Sequence, residues 1–427
     1  MPAGKDVFAL DSRKGRSQFG INVSNEKRRA DSFSTEVVHG VSALKALRGD
    51  WQELFLQNSS ASPFTSWNWI DSWIQSYGGG QDFLAVVCYQ GYQIVGIVPF
   101  VWKARTSPLE IRKLWMLGFH SFAGADGLTE EPIYAMAGDA KMQEKMWAMV
   151  HQSLEGLIAT GHWDSGAYRK FGIGIEGCSV VEMSDDHVQV QEYWRGCEYV
   201  HLPETWEQYL KTISKSMREN IPYYHKKFVK EGIDYSVEKV LPEEVPAVID
   251  RLVTLHKIRT YADPTMQHVD YFGDARRQNL FKKATKKMVE SGEAKVMVLR
   301  ANSEIIAAQV FLQNHNMVLA HYSGFDPAWS KFSPLFVLQT AVIRQAIEDK
   351  VKMLNLLRGN ASWQRRWGAN STNQIVDVTI SRRAFVPRLR QMIDHREDRL
   401  TTSVSNVPVV RKARAAYRAW QLGIKSA

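Results

Sequence analysis

An imidazole and a guanidinium stand three residues apart at His256 and Arg259. On a helix that spacing turns both toward one cleft, where the first can accept a proton and the second can clamp an anion. The same histidine reads equally as a helix-face residue packed against its own domain. Tyr322 and Asp326 come at the end of one apolar run, and Arg358 ends another, Met353 to Leu357. A guanidinium there can hold a carboxylate, phosphate or sugar acid at two points. Asp326 also opens an Asp-Pro pair, an ordinary turn starter, and Asp126, within Gly124-Ala125-Asp126-Gly127, reads as a turn residue as well as an acid. Tyr322, Trp363 and Trp367 offer faces for stacking on sugar rings, although core packing is the commoner use of aromatics.

Several other chemistries lack their residues. Gly172-Ile173-Gly174-Ile175-Glu176-Gly177 spells a dinucleotide fingerprint, but the β-rich run Ser179 to Met183 follows where that motif needs a helix. A Walker loop, nucleophile elbow, zinc-protease helix and paired CxxC are all missing. Cys88, Cys178 and Cys197 have neither metal-ligand nor redox spacing, so no metal cofactor is expected and a reducing cytoplasm is the natural compartment. Cys88, within an apolar run, reads as a small buried hydrophobe.

The elements that must position these groups come as a repeat. Ala85 to Tyr89 and Ile94 to Val101 flank Gln90-Gly91-Tyr92-Gln93, and 211 residues later Val296 to Arg300 and Ile305 to Leu312 flank Ala301-Asn302-Ser303-Glu304. Each pair reads as a β-hairpin. Residue size is kept in register, with Gly96 on Ala307 and Phe100 on Phe311. A third strand follows each hairpin, Arg112 to Gly118 and Met317 to Gly324, and then a helix, Asp139 to Ile158 and Pro334 to Ile347, with apolar residues at helical spacing. The inference is a duplicated βββα unit.

The expected fold class is therefore α/β (α+β), two tandem domains each built on a mixed, mostly antiparallel sheet flanked by helices. A chain of 427 residues suits two such domains better than one core. The reading divides it into a disordered, charged arm at 1–36, a first domain at 37–200, a second at 201–381 and a basic helical tail at 382–427. The first domain opens with a helix around Leu44 to Gln57 and closes with strands near Phe171 to Met183 and Val188 to Tyr193. The longest apolar stretch, Phe83 to Trp102, is broken by Gln90, Gly91 and Gln93 at its turn-like centre and fits a hairpin better than a membrane span. Lys and Arg number 54 against 45 Asp and Glu, with the excess in the arm, in Lys211 to Lys230 and in the tail. These segments favour anionic partners such as cofactor phosphates, nucleic acid or an acidic membrane surface, unless they are simply solvated.

The order hairpin, strand, loop, helix, strand resembles that of GNAT-type acyl-CoA transferases. There the strand before the helix splays from its neighbour to receive the thioester arm, and the diphosphate rests on the helix N-terminus. Lys331, Ser333 and Pro334 stand at that terminus in the second copy, good capping chemistry followed by Leu335.

The chain further resembles the CelD/BcsL family of BioF2-like, GNAT-type acetyltransferases, associated with bacterial cellulose and exopolysaccharide production and sharing a duplicated architecture with the FemABX aminoacyl transferases. The resemblance covers most of 37–381. It rests on Ser62-Pro63-Phe64 with Trp67, Trp69 and Trp73, on Pro99-Phe100, and on Tyr209-Leu210 followed by Ser214 to Asn220. Leu255-His256 with Arg259, Gly324 with Asp326-Pro327, Ser333-Pro334, and Arg358-Gly359 with Trp367 then come in the family's order. Three positions depart from it: Leu335 replaces a glycine, Asn355 an aspartate, and Trp363-Gln364 a Tyr-Lys pair.

The resemblance implies an acyl-CoA donor, acetyl-CoA or another, and a sugar, lipid-linked saccharide or polysaccharide precursor as acceptor. In that reading His256, Asp326 and Tyr322 are catalytic, Arg259, Arg358, Asp126 and Trp363 bind the acceptor, and Lys331, Ser333 and Leu335 meet the donor. The protein would be cytoplasmic, with association to an exopolysaccharide synthase or the inner-membrane surface through its basic segments. Two alternatives stay open: a catalytically weakened scaffold that binds such a partner, and FemABX-like aminoacyl transfer from charged tRNA through the basic helix at Lys211 to Lys230.

Overall fold

A computed structural model of the chain describes residues 32–58, 61–103, 112–118, 128–172, 177–185, 188–262, 270–357 and 361–382. The arm at 1–31 and the tail at 383–427 lie outside them. The first half opens with β1 (Phe33–His39), α1 (Val41–Ala46) and α2 (Arg48–Gln57), two short helices where one was expected, because the chain breaks at Leu47. Ser66 caps α3 (Trp67–Tyr77) by accepting from the Asn68 amide, and the apolar face of α3 buries Trp67, Trp69, Ile70, Trp73 and Ile74. The hairpin of β2 (Gln81–Gln90) and β3 (Gln93–Lys103) turns at Gly91, whose φ of 59° suits glycine. Then come β4 (Lys113–Met116), β5 (Ala135–Met136), α4 (Ala140–Ala159), β6 (Ser165–Gly172), β7 (Gly177–Asp185) and β8 (Val188–His201). The glycine-rich stretch thus joins β6 to β7, strand to strand.

The second half repeats the plan after α5 (Trp206–Thr212) and α6 (Lys215–Lys230): β9 (Tyr235–Lys239), α7 (Val245–Ala262), α8 (Ala275–Glu290), β10 (Ala294–Ala301), β11 (Glu304–Gln313), β12 (Met317–Phe325), α9 (Pro334–Glu348), β13 (Met353–Asn355), α10 (Ala361–Arg366) and β14 (Ser371–Arg382). The echo reaches the irregularities. The first hairpin shifts register between Cys88 and Tyr89, and the second between Leu299 and Arg300, the same offset of 211. A Cβ on Gly96 would meet Met146 Sδ of α4 at 3.0 Å, and Ala307, its counterpart, shares a buried cluster with Val337 and Leu338 of α9. Both hairpins stay small where a helix crosses closely.

The described strands form one 14-stranded sheet in the order β1-β2-β3-β4-β6-β14-β8-β13-β12-β11-β10-β9, with β5 on β3 and β7 on β8. The order is nearly symmetric about its centre: three antiparallel strands, then a parallel pair, β4 with β6 and β12 with β13. The halves also exchange strands. β8 pairs with β13 of the second half, β14 returns to pair with β6 of the first, and β8 and β14 pair with each other from Ser371↔Tyr199 to Arg382↔Val188. Arg169 on β6 and Asp377 on β14 face each other in this ladder and form a two-point ion pair at 2.6 and 3.3 Å.

One face of the sheet carries a single core running through both halves, in which Trp51, Phe64 and Trp69 share a cluster with Leu252, Phe272 and Phe281. The opposite face holds separate clusters beneath α4 and α9. Apolar burial therefore cements the halves on the α3, α7 and α8 side.

Candidate functional site

The site grows out of β12. Gln309 pairs with Ser323 and Phe311 with Ala320, so two residues of β12, His321 and Tyr322, stand opposite the single Val310. This bulge sends both rings to the α7/α8 face, where each meets Phe281, while Ala320 and Phe325 pack on the α9 side. Two residues on, α7 comes so close that a Cβ at Gly324 would lie 2.6 Å from the His256 amide nitrogen and 2.7 Å from the Leu252 carbonyl oxygen.

That approach brings His256 onto the strand. Its Nδ1 lies 3.2 Å from the Ser323 carbonyl oxygen, which can only accept, so Nδ1 donates in this contact. Phe272 stands edge-on to the ring at 5.0 Å and Tyr322 at 6.1 Å. One turn later the Arg259 guanidinium lies over the Phe325 ring at 5.2 Å, and burial lowers its pKa. Asp326 follows directly and accepts from the Ala328 amide at 2.9 Å, starting the 3₁₀ turn Pro327–Phe332. The end of β12 thus gathers His256, Arg259, Tyr322 and Asp326.

A second group lies at the start of α9. β12 pairs with β13 over only three positions, Met317↔Met353 to Leu319↔Asn355, and beyond them no ladder joins the two strands among the described residues. The sheet parts here. Ser333, left-handed at φ 48° and ψ 57°, leads into Pro334, and no side chain caps the helix. Leu335 is half-buried against the cluster under α9. Lys331 is exposed, with its ammonium on Glu231 at 2.6 Å, and its carbonyl accepts from Lys227 of α6. Trp363, 44% exposed, stands edge-on to Trp367, which packs on Phe336 of α9. The equivalent end of α4 differs, because the Asp139 carboxylate accepts from the Met142 amide and occupies it.

Sequence reasoning missed what holds the base of the parting. Glu131, 1% exposed, accepts from Ser62 Oγ at 2.6 Å, the Tyr199 hydroxyl at 2.8 Å and Asn355 Nδ2 at 2.5 Å. Asn355 Oδ1 in turn accepts from the Leu357 amide at 2.7 Å. Buried Gln364 donates to the carbonyls of Leu356 and Leu357. Burial, and next the Glu131 charge, hold Tyr199 well above the usual phenol range. An isolated glutamate carries no local pattern; the one hint was the Ser62-Pro63-Phe64 segment.

Arg358 and Asp126 lie outside the described residues. Among the described residues no cluster of His, Cys, Asp and Glu could hold a metal ion, and no helix is long and apolar enough to cross a membrane. A groove of 440 Å³ opens elsewhere, between α1 to α3 and α8, lined by Lys45, Arg48, Trp67, Asn68, Asp71 and Lys287. Lys287 there closes on Asp71 at 2.5 Å, and none of the catalytic, acceptor or donor candidates lines it.

Residues 215–365 match the family described as an acetyltransferase (GNAT) domain. The second half therefore carries a GNAT-type, acyl-CoA-dependent transferase domain. No curated protein matches the chain. Among solved structures, FemX is similar at 9% identity and TM-score 0.52, over 84% of this chain and 99% of that one. A conserved protein of unknown function from Bacteroides thetaiotaomicron gives 12% identity and TM-score 0.49, over 79% and 97%. A tandem GNAT protein from the clavulanic acid biosynthesis pathway gives 8% and 0.41, over 81% and 98%. The FemX likeness is one of fold and spans both halves. The fold class is the one expected, mixed α/β and GNAT-like, and the GNAT fold implies an acyl-CoA donor.

Proposed function

We propose that this transferase moves an acetyl or other acyl group from acyl-CoA to a hydroxyl or amine of a sugar, lipid-linked saccharide or polysaccharide precursor. The observation that carries the reading is the contrast between the two equivalent helices. α9 starts without a side-chain cap at the mouth of a parted sheet, so its amides and dipole favour the donor's diphosphate. α4 has Asp139 in that place, and a carboxylate repels one. The donor belongs to the second half.

The chemistry follows from the groups around β12. His256 Nε2 takes the proton of the acceptor hydroxyl or amine as its oxygen or nitrogen attacks the thioester carbonyl. The C–S bond then breaks, and the departing thiolate takes up a proton to become free CoA. Arg259 and Arg358 hold the acceptor's anionic or polar groups, and Trp363 offers a ring for a sugar face. Tyr322 and Asp326 serve the reacting centre, and the family resemblance assigns Asp126 to the acceptor. The CelD/BcsL resemblance supports a role in cellulose or exopolysaccharide production, with the protein acting in the cytoplasm beside a membrane synthase.

Titration calorimetry with acetyl-CoA tests the donor. Binding is expected, with at least tenfold loss on Lys331→Ala; absence of heat with any acyl-CoA overturns the reading. A second reading, a weakened scaffold, draws on Lys331 being engaged by Glu231 and on Leu335 standing where the family has a glycine. It predicts capture of an anionic vesicle or synthase subunit that acyl-CoA leaves unchanged, whereas salt-sensitive retention of tRNA would favour aminoacyl transfer through α6.

A further inference from the structure

The base of the parting between β12 and β13 is held from the other half of the molecule. Asn355 forms the last pair with Leu319 before the strands separate, and it is fully buried. Its amide is used at both ends, as donor to Glu131 and as acceptor from the Leu357 amide, so its orientation is fixed. Leu357 is held left-handed, at φ 58°, a conformation that a leucine keeps only when its surroundings enforce it. Glu198 N–H and Gln364 Nε2 grip its carbonyl, and Arg358 comes next in the chain.

We propose that Glu131 is a positioning residue: acting through Asn355, this first-half carboxylate fixes the β13 end of the donor crevice and the left-handed turn at Leu357. The proposal rests on the donor lying in the second half. It explains the asparagine at 355. An aspartate there would set two buried carboxylates 2.5 Å apart, and one would have to stay protonated. The negative charge at the base of the crevice is supplied by position 131 instead, and position 355 carries the amide that Glu131 requires.

The test is a swap in the full-length protein, reading the unfolding midpoint and acetyl-CoA affinity together. Asn355→Asp is expected to lower the midpoint and to weaken acetyl-CoA binding at least tenfold at pH 8, with recovery as pH falls and the shared proton returns. Tyr134 and Tyr199, which feel the Glu131 charge, are both raised above the usual phenol range and stay protonated throughout. Neither contributes to the profile. Glu131→Gln alone is expected to weaken binding without that pH dependence. Combined with Asn355→Asp it should restore both readouts to within about threefold of wild type, because an amide again faces a carboxylate. A double variant no better than the worse single, or an Asn355→Asp affinity flat with pH, overturns the proposal. If the wild-type protein gives no heat with acetyl-CoA, the donor reading fails by itself. The midpoints then decide, since a rescued midpoint supports the Glu131–Asn355 coupling and an unrescued one refutes it.

Discussion

His321 gives the fold a built-in sensitivity to acid that can be worked out in advance. The imidazole is 7% exposed, ringed by Phe64, Trp69, Phe281 and Tyr322. Nε2 donates to the Leu128 carbonyl at 2.9 Å, while Nδ1 is buried without a hydrogen-bond partner among the described residues. Charging the ring would require a second N–H with nowhere to donate. Burial accordingly pulls its pKa down to about 3 from an ordinary 6.5, against a smaller upward pull from the Leu128 bond. The folded state therefore stays neutral where the unfolded chain takes up a proton, so this contribution is complete above pH 6.5 and drains away as pH falls toward 3.

Each unit costs about 1.4 kcal/mol, and by pH 4 the loss from this residue reaches roughly 3 kcal/mol. His321→Phe removes the titration while keeping a ring in the cluster, and gives up one hydrogen bond, about 1 kcal/mol. The variant should thus be less stable than wild type at pH 7 and more stable at pH 4, with the two curves crossing between about pH 5 and 6. Urea unfolding at a series of pH values measures this. Parallel curves, with no crossing, would show that His321 is not the buried neutral imidazole described.

Two further substitutions test the geometry around it. Gly324→Ala should destabilise the protein by about 1–3 kcal/mol, since the new methyl would press on backbone atoms of α7 at 2.6 and 2.7 Å that cannot swing aside; an unchanged melting temperature would mean that α7 sits farther from β12. Asp377→Ala should cost about 1.5–3 kcal/mol by removing the two-point partner of the Arg169 guanidinium, whose side chain is 7% exposed and which also donates to the Glu130 carbonyl, and a loss below about 1 kcal/mol in urea unfolding would count the pair as expendable.

What could be read from the residues alone was what is local or repeated. Alternation and turn chemistry delimit β2, β3, β10 and β11, and the offset of 211 even carries the register shift in each hairpin. Proline at the first helical position marks the start of α9, and Asp139 marks that of α4. The exchange of β8 and β14 left no such trace, because a strand's partner depends on chain far away and both strands sit beside plausible local neighbours. The segment read as a single strand from Phe171 to Met183 is two, β6 and β7, and the helix at Leu44 to Gln57 is split at Leu47. His256, Arg259, Tyr322 and Asp326 could be picked out by type, since one helix and one strand end carry them. Glu131 could not, because Ser62, Tyr199 and Asn355 reach it from three distant stretches.

The crossed strands also bear on how the molecule is made. As synthesis proceeds, β6 leaves the ribosome with one edge bare, and the strand that covers it begins only at Ser371, about 200 residues later. At ordinary translation rates that exposure lasts about 10–40 s. A nascent first half is therefore a client for a chaperone, or for the wrong neighbour, until the last strand arrives to close it.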